Sequence, residues 1–398
     1  MPKRCRLLPR LCGLAILWVL AVPWTGSVLA ADFTIGYLQL EKDPRYSKPR
    51  SYARYLGQSL GRPYQGAKVA LGEVKFHGTA AGVRFVLKRR RVKHAQAMVR
   101  AAAELTEDGV RFLLVDAPAD VLHRLSEHTE EQNIVLFNIS ARSDPLRTTQ
   151  CAKHLLHVIP SHAMLADALV QYLVSRKWRE ALVLVGPTPA DVALAGSFTR
   201  AAKRLGVKIV AQKPFELSND PRRRKRNNIA LLTAGEDYDV VFIADADGEF
   251  ARNAAYRTVL PRPVIGADGL TAMAWHWAYE RHGAPQLEKR FEKAAGRHMA
   301  SVDWAAWLAV KAIASAVQRT SSADFQVLRR YLLSQELELD GFKGHRSNFR
   351  PWNGQLRQPL LLATHNWVIG KAPIEGFLHR TNNLDTLGFS QQEVSCAR

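Results

Sequence analysis

The sequence predicts a two-lobed α/β fold in which each lobe is a parallel sheet flanked by helices. Strand-like and helix-like patterns alternate along most of the chain, as parallel βαβ units require. The alternation pauses at an extended apolar segment, His154-Leu155-Leu156-His157-Val158-Ile159-Pro160, and then restarts. The 398 residues suffice for two lobes with separate cores.

The N-terminus reads as a secretory leader. Basic Lys3, Arg4, Arg6 and Arg10 precede an apolar stretch from Leu11 to Val22, then Pro23 and small residues up to Ala30, after which cleavage is expected. A retained anchor would need about 20 apolar residues, and Pro23, Thr25, Gly26 and Ser27 interrupt the stretch first. Cys12 stands at the start of the apolar stretch, where a lipid-modified cysteine does not. An exported, periplasmic product without a second hydrophobic span is therefore expected.

In the first half, residues 33–38 start a strand, and a polar stretch from 45 to 58 can form a helix. Residues 83–87 resemble a second strand, 94–105 carry apolar residues at helical spacing, and 112–115 form a buried strand ending in Asp116-Ala117-Pro118. A helix over 119–131 and a strand over 134–137, ending in Asn138, follow. Residues 154–160 are the first candidate crossing between lobes.

In the second half a helix over 163–176 leads to strands at 181–185, 208–211, 240–243 and 264–266, with helices expected at 191–205, 228–233 and 250–259. From Pro285 the pattern turns helical, at 286–295, 304–319 and 325–333, as a return onto the first lobe. Residues 360–363 and 367–369 read as a hairpin or third crossing before a polar tail. The expected organisation is a leader (1–30), lobe 1 (31–155), lobe 2 (156–268), a helical return (269–357), and the third crossing with the tail (358–398). Repeats and low-complexity linkers are absent.

The formal net charge is +20, and the leader takes four of the 56 basic residues and none of the 36 acidic ones, which leaves 52 against 36, or +16. The runs 88–91 and 222–226 supply much of that excess. An exported chain rarely meets nucleic acid, and no module that binds it is visible, so these runs read as solvated loops or strand ends, with docking to an acidic membrane-side partner as the other reading. Two of the four cysteines leave with the leader, and Cys151 with Cys396 is the simplest disulfide in an oxidising compartment.

Ligands of open parallel sheets meet the loops at the carboxyl ends of strands, and two facing lobes make those loops a cleft. The candidate ligand-binding residues are Asp116, Asn138, Ser140, Arg142 and Asp144 in the first half, and Asp191, Asp245 and Asp268 in the second, with Asp120, Ser143, Thr188, Asp247 and Glu249 beside them. So many acids on a basic chain suggest a cationic or polyhydroxylated ligand, or a metal ion or complex, since hard cations take six or more oxygens. Asp120, Asp191 and Asp247 also suit helix starts. Trp275 and Trp277 follow the segment that should cross back, where an indole could stack on a ligand or pack in the core. His154 and His157, three apart on an extended segment, point to opposite faces and make a poor metal pair. No cofactor is required, and no motif of a catalytic elbow, metalloprotease helix, dinucleotide turn or phosphate loop occurs, which lowers the odds of an enzyme.

Export, two α/β halves, a mid-chain crossing and a late helical return together resemble the type I periplasmic binding proteins, the Venus-flytrap group that includes the branched-chain amino-acid receptors. Asp237-Tyr238-Asp239 running on to Asp245, Gly341-Phe342-Lys343-Gly344, Trp352-Asn353-Gly354-Gln355-Leu356-Arg357-Gln358-Pro359, Gly376-Phe377-Leu378-His379 and Leu384-Asp385-Thr386-Leu387-Gly388 are similar to a subgroup associated with pyrroloquinoline-quinone (PQQ)-dependent alcohol dehydrogenase systems. The resemblance implies a monomeric receptor that delivers a small solute or metal ion to the permease of an ABC transporter. It leaves open an accessory protein that hands a cofactor or metal to a periplasmic dehydrogenase. The loops Asp116-Ala117-Pro118-Ala119-Asp120 and Asn138-Ile139-Ser140-Ala141-Arg142 depart from the small hydroxyl residues with which amino-acid receptors meet a carboxylate.

Overall fold

A computed structural model describes residues 31–47, 61–80, 82–216, 218 and 220–395. The leader, the part of the expected first helix beyond residue 47, and Cys396 lie outside the described residues.

Lobe 1 opens with β1 (Ala31–Leu40), the short α1 (Pro44–Ser47), α2 (Tyr64–Ala80), β2 (Val83–Val92), α3 (Ala95–Glu107) and β3 (Phe112–Asp116). It continues through α4 (Ala119–His128), β4 (Val135–Asn138), the single-turn α5 (Pro145–Thr148) and β5 (Leu155–His157). The five strands are parallel in the order β2-β1-β3-β4-β5. The inner strands β3 and β4 are buried throughout because both faces are covered, whereas the edge strand β2 carries Arg84 and the basic run 88–91. Phe33, Ile35 and Tyr37 of β1 enter one core with Phe112 and Leu114, whereas Leu38 and Leu40 enter the other with Leu113 and Val115.

Lobe 2 is built from α6 (His162–Ser175), β6 (Glu180–Val185), α7 (Pro189–Leu205), β7 (Lys208–Pro214), α8 (Ile229–Leu232), β8 (Val240–Ala244) and β9 (Val264–Gly266). Its sheet is parallel in the order β7-β6-β8-β9, and β6 again divides its side chains, Ala181 and Val183 to one core, Leu182 and Leu184 to the other. The helix expected over 250–259 is instead a single 3-10 turn, Ala251–Asn253. There the Asp245 side chain takes the Phe250 and Ala251 N–H groups, which closes the segment as a loop rather than a helix.

After β10 (Thr271–Met273) come α9 (Ala284–Ala295), α10 (Ser301–Thr320) and α11 (Phe325–Leu333), which return to the first core of lobe 1. The helix α2, absent from the reading of the sequence, packs along α10. A side chain at Gly66 would strike the backbone of Asp303, so glycine there allows the close approach. The chain ends with a small hairpin, β11 (Leu339–Asp340) and β12 (Arg346–Ser347), and with β13 (Leu360–Ala363) and β14 (Val368–Ala372).

β13 lies between β10 and β14 in an antiparallel sheet shared by both lobes: Leu360 and Leu362 join the lobe 2 core, and Leu361 joins that of lobe 1. Around this sheet three crossings are bound to one another. His157 N–H donates to Gly354 O at 2.8 Å, Leu356 N–H to His157 O at 2.9 Å, and Gln358 Nε2 to Val158 O at 2.7 Å. Lys343, buried, donates through Nζ to Ala274 O at 3.0 Å, Gln358 Oε1 at 3.0 Å and Pro359 O at 2.7 Å. No described helix is long and apolar enough to cross a membrane.

Candidate functional site

The carboxyl ends of the lobe 1 strands carry a polar cluster made by three loops. After β1 the chain turns through Asp43 into α1, and the Arg45 guanidinium folds back onto it: Nε donates to both Asp43 oxygens at 3.0 and 3.1 Å, and Nη2 to Oδ2 at 2.6 Å. Arg45 also reaches Asp116 Oδ1 at the end of β3, at 3.1 Å, and Ser140 Oγ beyond β4, at 2.9 Å. Tyr46 donates its hydroxyl to the same Asp116 oxygen at 2.8 Å. Arg62 covers the end of β1, donating to Leu40 O and, at 2.7 Å, to Glu41 O, with its guanidinium 5.0 Å from the Tyr46 ring centre.

The charge is layered. The Asp43 and Asp116 side chains are fully buried, whereas the Arg45 side chain is 30% exposed and Arg62 and Arg142 are half-buried. Burial raises the pKa of Asp116 against the opposing pull of Arg45. It also raises those of the Tyr46 and Tyr37 hydroxyls, so both phenols stay neutral. Within this cluster the arginines, not the acids, face outward.

Asn138 and Ser140 shape the loop after β4. Asn138 Oδ1 accepts the Ser140 and Ala141 N–H groups at 3.2 and 2.9 Å, and its Nδ2 binds Ala141 O at 2.8 Å and His157 Nδ1 at 2.9 Å. Arg142 leaves that loop beside Tyr46 and His162, making one long contact, Nη1 to Pro160 O at 3.5 Å. Desolvation lowers its pKa to about 10, so it remains cationic at neutral pH. Asp144 joins the lobes by accepting Ala163 N–H at 3.0 Å and Ser197 Oγ–H at 2.7 Å.

In lobe 2 the acids serve the backbone. Asp191 closes a capping box with Thr188 at the start of α7 and accepts the Ala246 N–H at 2.6 Å. Asp245 is buried in its own loop, and Asp268, half-buried, accepts the N–H of Gly269 at 2.7 Å. Asp247 and Glu249 are exposed on the loop after β8, and Asp120 is exposed on α4 without a capping bond.

Trp275 is a core residue, 2% exposed, whose Nε1 donates to Glu288 at 3.0 Å. Trp277 stacks on His298 at 4.6 Å between ring centres. His154 and His157 are buried, the first 3.0 Å from Thr129 Oγ1. Among the described residues no three His, Cys, Asp or Glu side chains converge as a metal site.

The structure thus unites Asp116, Ser140 and Arg142 around Arg45, Tyr46 and Arg62, three residues that the reading of the sequence left out. Their one visible signal was Asp43-Pro44-Arg45-Tyr46 following a strand, where proline starts a short helix and aims an arginine back at the sheet. A cavity of about 500 Å³ lies elsewhere, under β14 and the tail, lined by His345, Lys371, Glu375, Phe377 and Leu378 among others.

Residues 56–252 match the model of a family described as periplasmic binding protein. Several solved structures share the fold. A branched-chain amino-acid ABC transporter periplasmic ligand-binding protein from Burkholderia xenovorans has a TM-score of 0.66 at 15% identity, covering 85% of this chain and 94% of that one. A leucine-, isoleucine-, valine-, threonine- and alanine-binding protein from Brucella ovis, in its closed conformation, gives 0.67 at 13% identity over 84% and 89%. An ABC transporter solute-binding protein from Rhodopseudomonas palustris in complex with 3,4-dihydroxybenzoic acid gives 0.62 at 13% over 85% and 94%. The search of curated protein sequences found no match. The proteins that the chain is similar to are binding proteins rather than enzymes, and its two parallel lobes joined by bonded crossings are the fold of the periplasmic binding proteins.

Proposed function

We propose that the chain is the periplasmic solute-binding component of an ABC importer, working beside PQQ-dependent alcohol oxidation. The observation that carries the receptor reading is the pairing of two independently cored parallel lobes with a polar cluster at the strand ends of lobe 1. A solute entering between the lobes contacts both, shifts the open–closed equilibrium towards closure, and so offers a permease a composite surface. No covalent step is needed.

The link to alcohol oxidation rests on the sequence stretches quoted above, most of which lie at the hinge and tail. A metal cargo has less support, because the acids that suggested it are occupied: Asp116 by Arg45 and Tyr46, Asp191 and Asp245 by backbone N–H groups. The accessory reading also loses ground, since Arg89 is turned onto Gln39 and the Tyr64 ring, and Arg223 and Arg226 pair with Glu216.

Thermal unfolding of the mature protein against amino acids, alcohols and their aldehyde and acid products, PQQ, calcium and lanthanide ions tests the reading. One class should raise the midpoint with concentration, by about 2.7 kcal/mol of stabilisation at a hundredfold excess over Kd. Stability unmoved by every class, together with co-purification of a dehydrogenase, would replace the receptor with the accessory role.

A further inference from the structure

We infer that the ligand of the interlobe cleft is a monocarboxylate with no ammonium group beside the carboxyl, and that the Arg142 guanidinium receives its carboxylate. This rests on the receptor reading above and assigns the chemistry of that site.

Two arginines five residues apart make the contrast. Arg147 is 1% exposed and committed: Nε donates to Gln355 Oε1 at 3.0 Å, Nη1 to Ala141 O at 2.8 Å and Ser143 O at 2.9 Å, and Nη2 to Ile159 O at 3.0 Å. Among the described residues Arg142 has only the 3.5 Å contact to Pro160 O, and no carboxylate there pairs with it. It stands where the loop after β4 meets the first crossing and the start of α6, at the carboxyl end of the lobe 1 sheet. A planar fork with free donors, partly removed from water, fits a carboxylate by two parallel charge-assisted hydrogen bonds.

The same surroundings exclude an α-ammonium. That group sits next to the carboxylate in space, so it would face Arg142, Arg45 and Arg62. The acids within the cluster itself are spent: Asp43 and Asp116 are buried behind Arg45, and Asp144 holds Ala163 and Ser197. On the loop after β8 of lobe 2 the exposed Glu249 disfavours a second carboxylate at the far end of the ligand.

The test compares probes that share a carbon skeleton. The mature protein is unfolded thermally with leucine, 4-methylpentanoate and isoamylamine, with straight-chain monocarboxylates from acetate to decanoate, with benzoate, and with glutarate. Monocarboxylates of one size range should raise the midpoint saturably, and their α-amino, amine and dicarboxylate counterparts should not. Arg142→Met should weaken the best probe roughly 10- to 100-fold, the range for a lost hydrogen bond to a charged group. Arg91→Met, on an exposed position of β2, should leave it unchanged. If the methionine variant does not fold, Arg142→Lys serves, keeping the charge without the fork, and should still weaken binding.

Stabilisation by leucine but not by 4-methylpentanoate would overturn the ligand class while leaving the receptor reading intact. Silence from this whole panel would overturn the ligand class, while the receptor reading would stand or fall on the alcohols, PQQ and metal ions of the wider panel. Wild-type affinity in the Arg142 variants would overturn the assignment of that residue.

Discussion

At the scale of single residues, buried charge is handled in two ways. Asp116 is buried and partly answered: Arg45 and Tyr46 hold its Oδ1, while burial still raises its pKa. Lys343 is buried with no acid beside it among the described residues: its Nζ has three carbonyl partners and lies 3.7 Å from the centre of the Trp304 ring. Desolvation pushes its pKa well below the usual lysine range. The unfolded chain then holds that proton more readily, so the lysine weakens the fold at low pH, and stability is regained as pH rises towards the unfolded value of about 10.4. Lys343→Met should cost about 1–3 kcal/mol near neutral pH, because it strands buried acceptors at the hinge. In urea unfolding the advantage of the wild type over the variant should widen from pH 7 to pH 10. A constant gap would mean that the ammonium titrates as it does in water.

At the scale of elements, two acids fix segments that local propensity does not. Asp303 closes the start of α10 by accepting the Ala300 N–H at 2.9 Å and pairs with Arg297 at 2.7 and 2.8 Å. Burial raises its pKa to about 6 despite Arg297. The folded state therefore binds the proton more tightly, so the group's contribution is full below about pH 4 and is withdrawn as pH rises to about 6. The wild type's lead over Asp303→Asn in urea midpoint should shrink across that window. The tail depends on Asp385, 4% exposed, which takes Arg350 Nε at 2.8 Å and Arg357 Nε at 2.9 Å. Asp385→Ala leaves two buried guanidinium groups without their acid and should cost about 3–5 kcal/mol, read by denaturant unfolding. Gly388 completes this clasp with φ of 86°, donating its N–H to Asp167, and a side chain there would press on Met164.

At the scale of the whole molecule, the architecture was legible in the sequence because strands buried on both faces, such as 112–115 and 240–243, leave unmistakable apolar runs. The helix α2 was not, since its stretch carries Gly66, Gly72 and Gly78 and its buried stripe is made of small residues, Ala67, Ala70 and Val74. The site was half legible: spacing placed Asp116 and Asn138 at strand ends, but only the fold could show acids turned inward and arginines outward. The stretches behind the finer resemblance, 341–344, 352–359 and 384–388, turn out to build the hinge and tail, so what they encode most directly is how the lobes are tied together. The tail adds one more tie. Ser395 donates its N–H to Thr148 O at 3.1 Å and its Oγ–H to the same oxygen at 3.0 Å, three residues from Cys151. Cys396 is the partner expected from the sequence. A bridge there would pin a tail that grips lobe 2 through Arg200 and Arg204 onto a loop of lobe 1. Reduction, or serine at both positions, should lower stability by about 2–4 kcal/mol, as removal of a long-loop disulfide does. Peptide mapping without reduction should recover the two cysteines in one linked fragment. Two free thiols in that experiment would leave the tail held by its hydrogen bonds and ion pairs alone, and the same mutations would then move the unfolding midpoint very little.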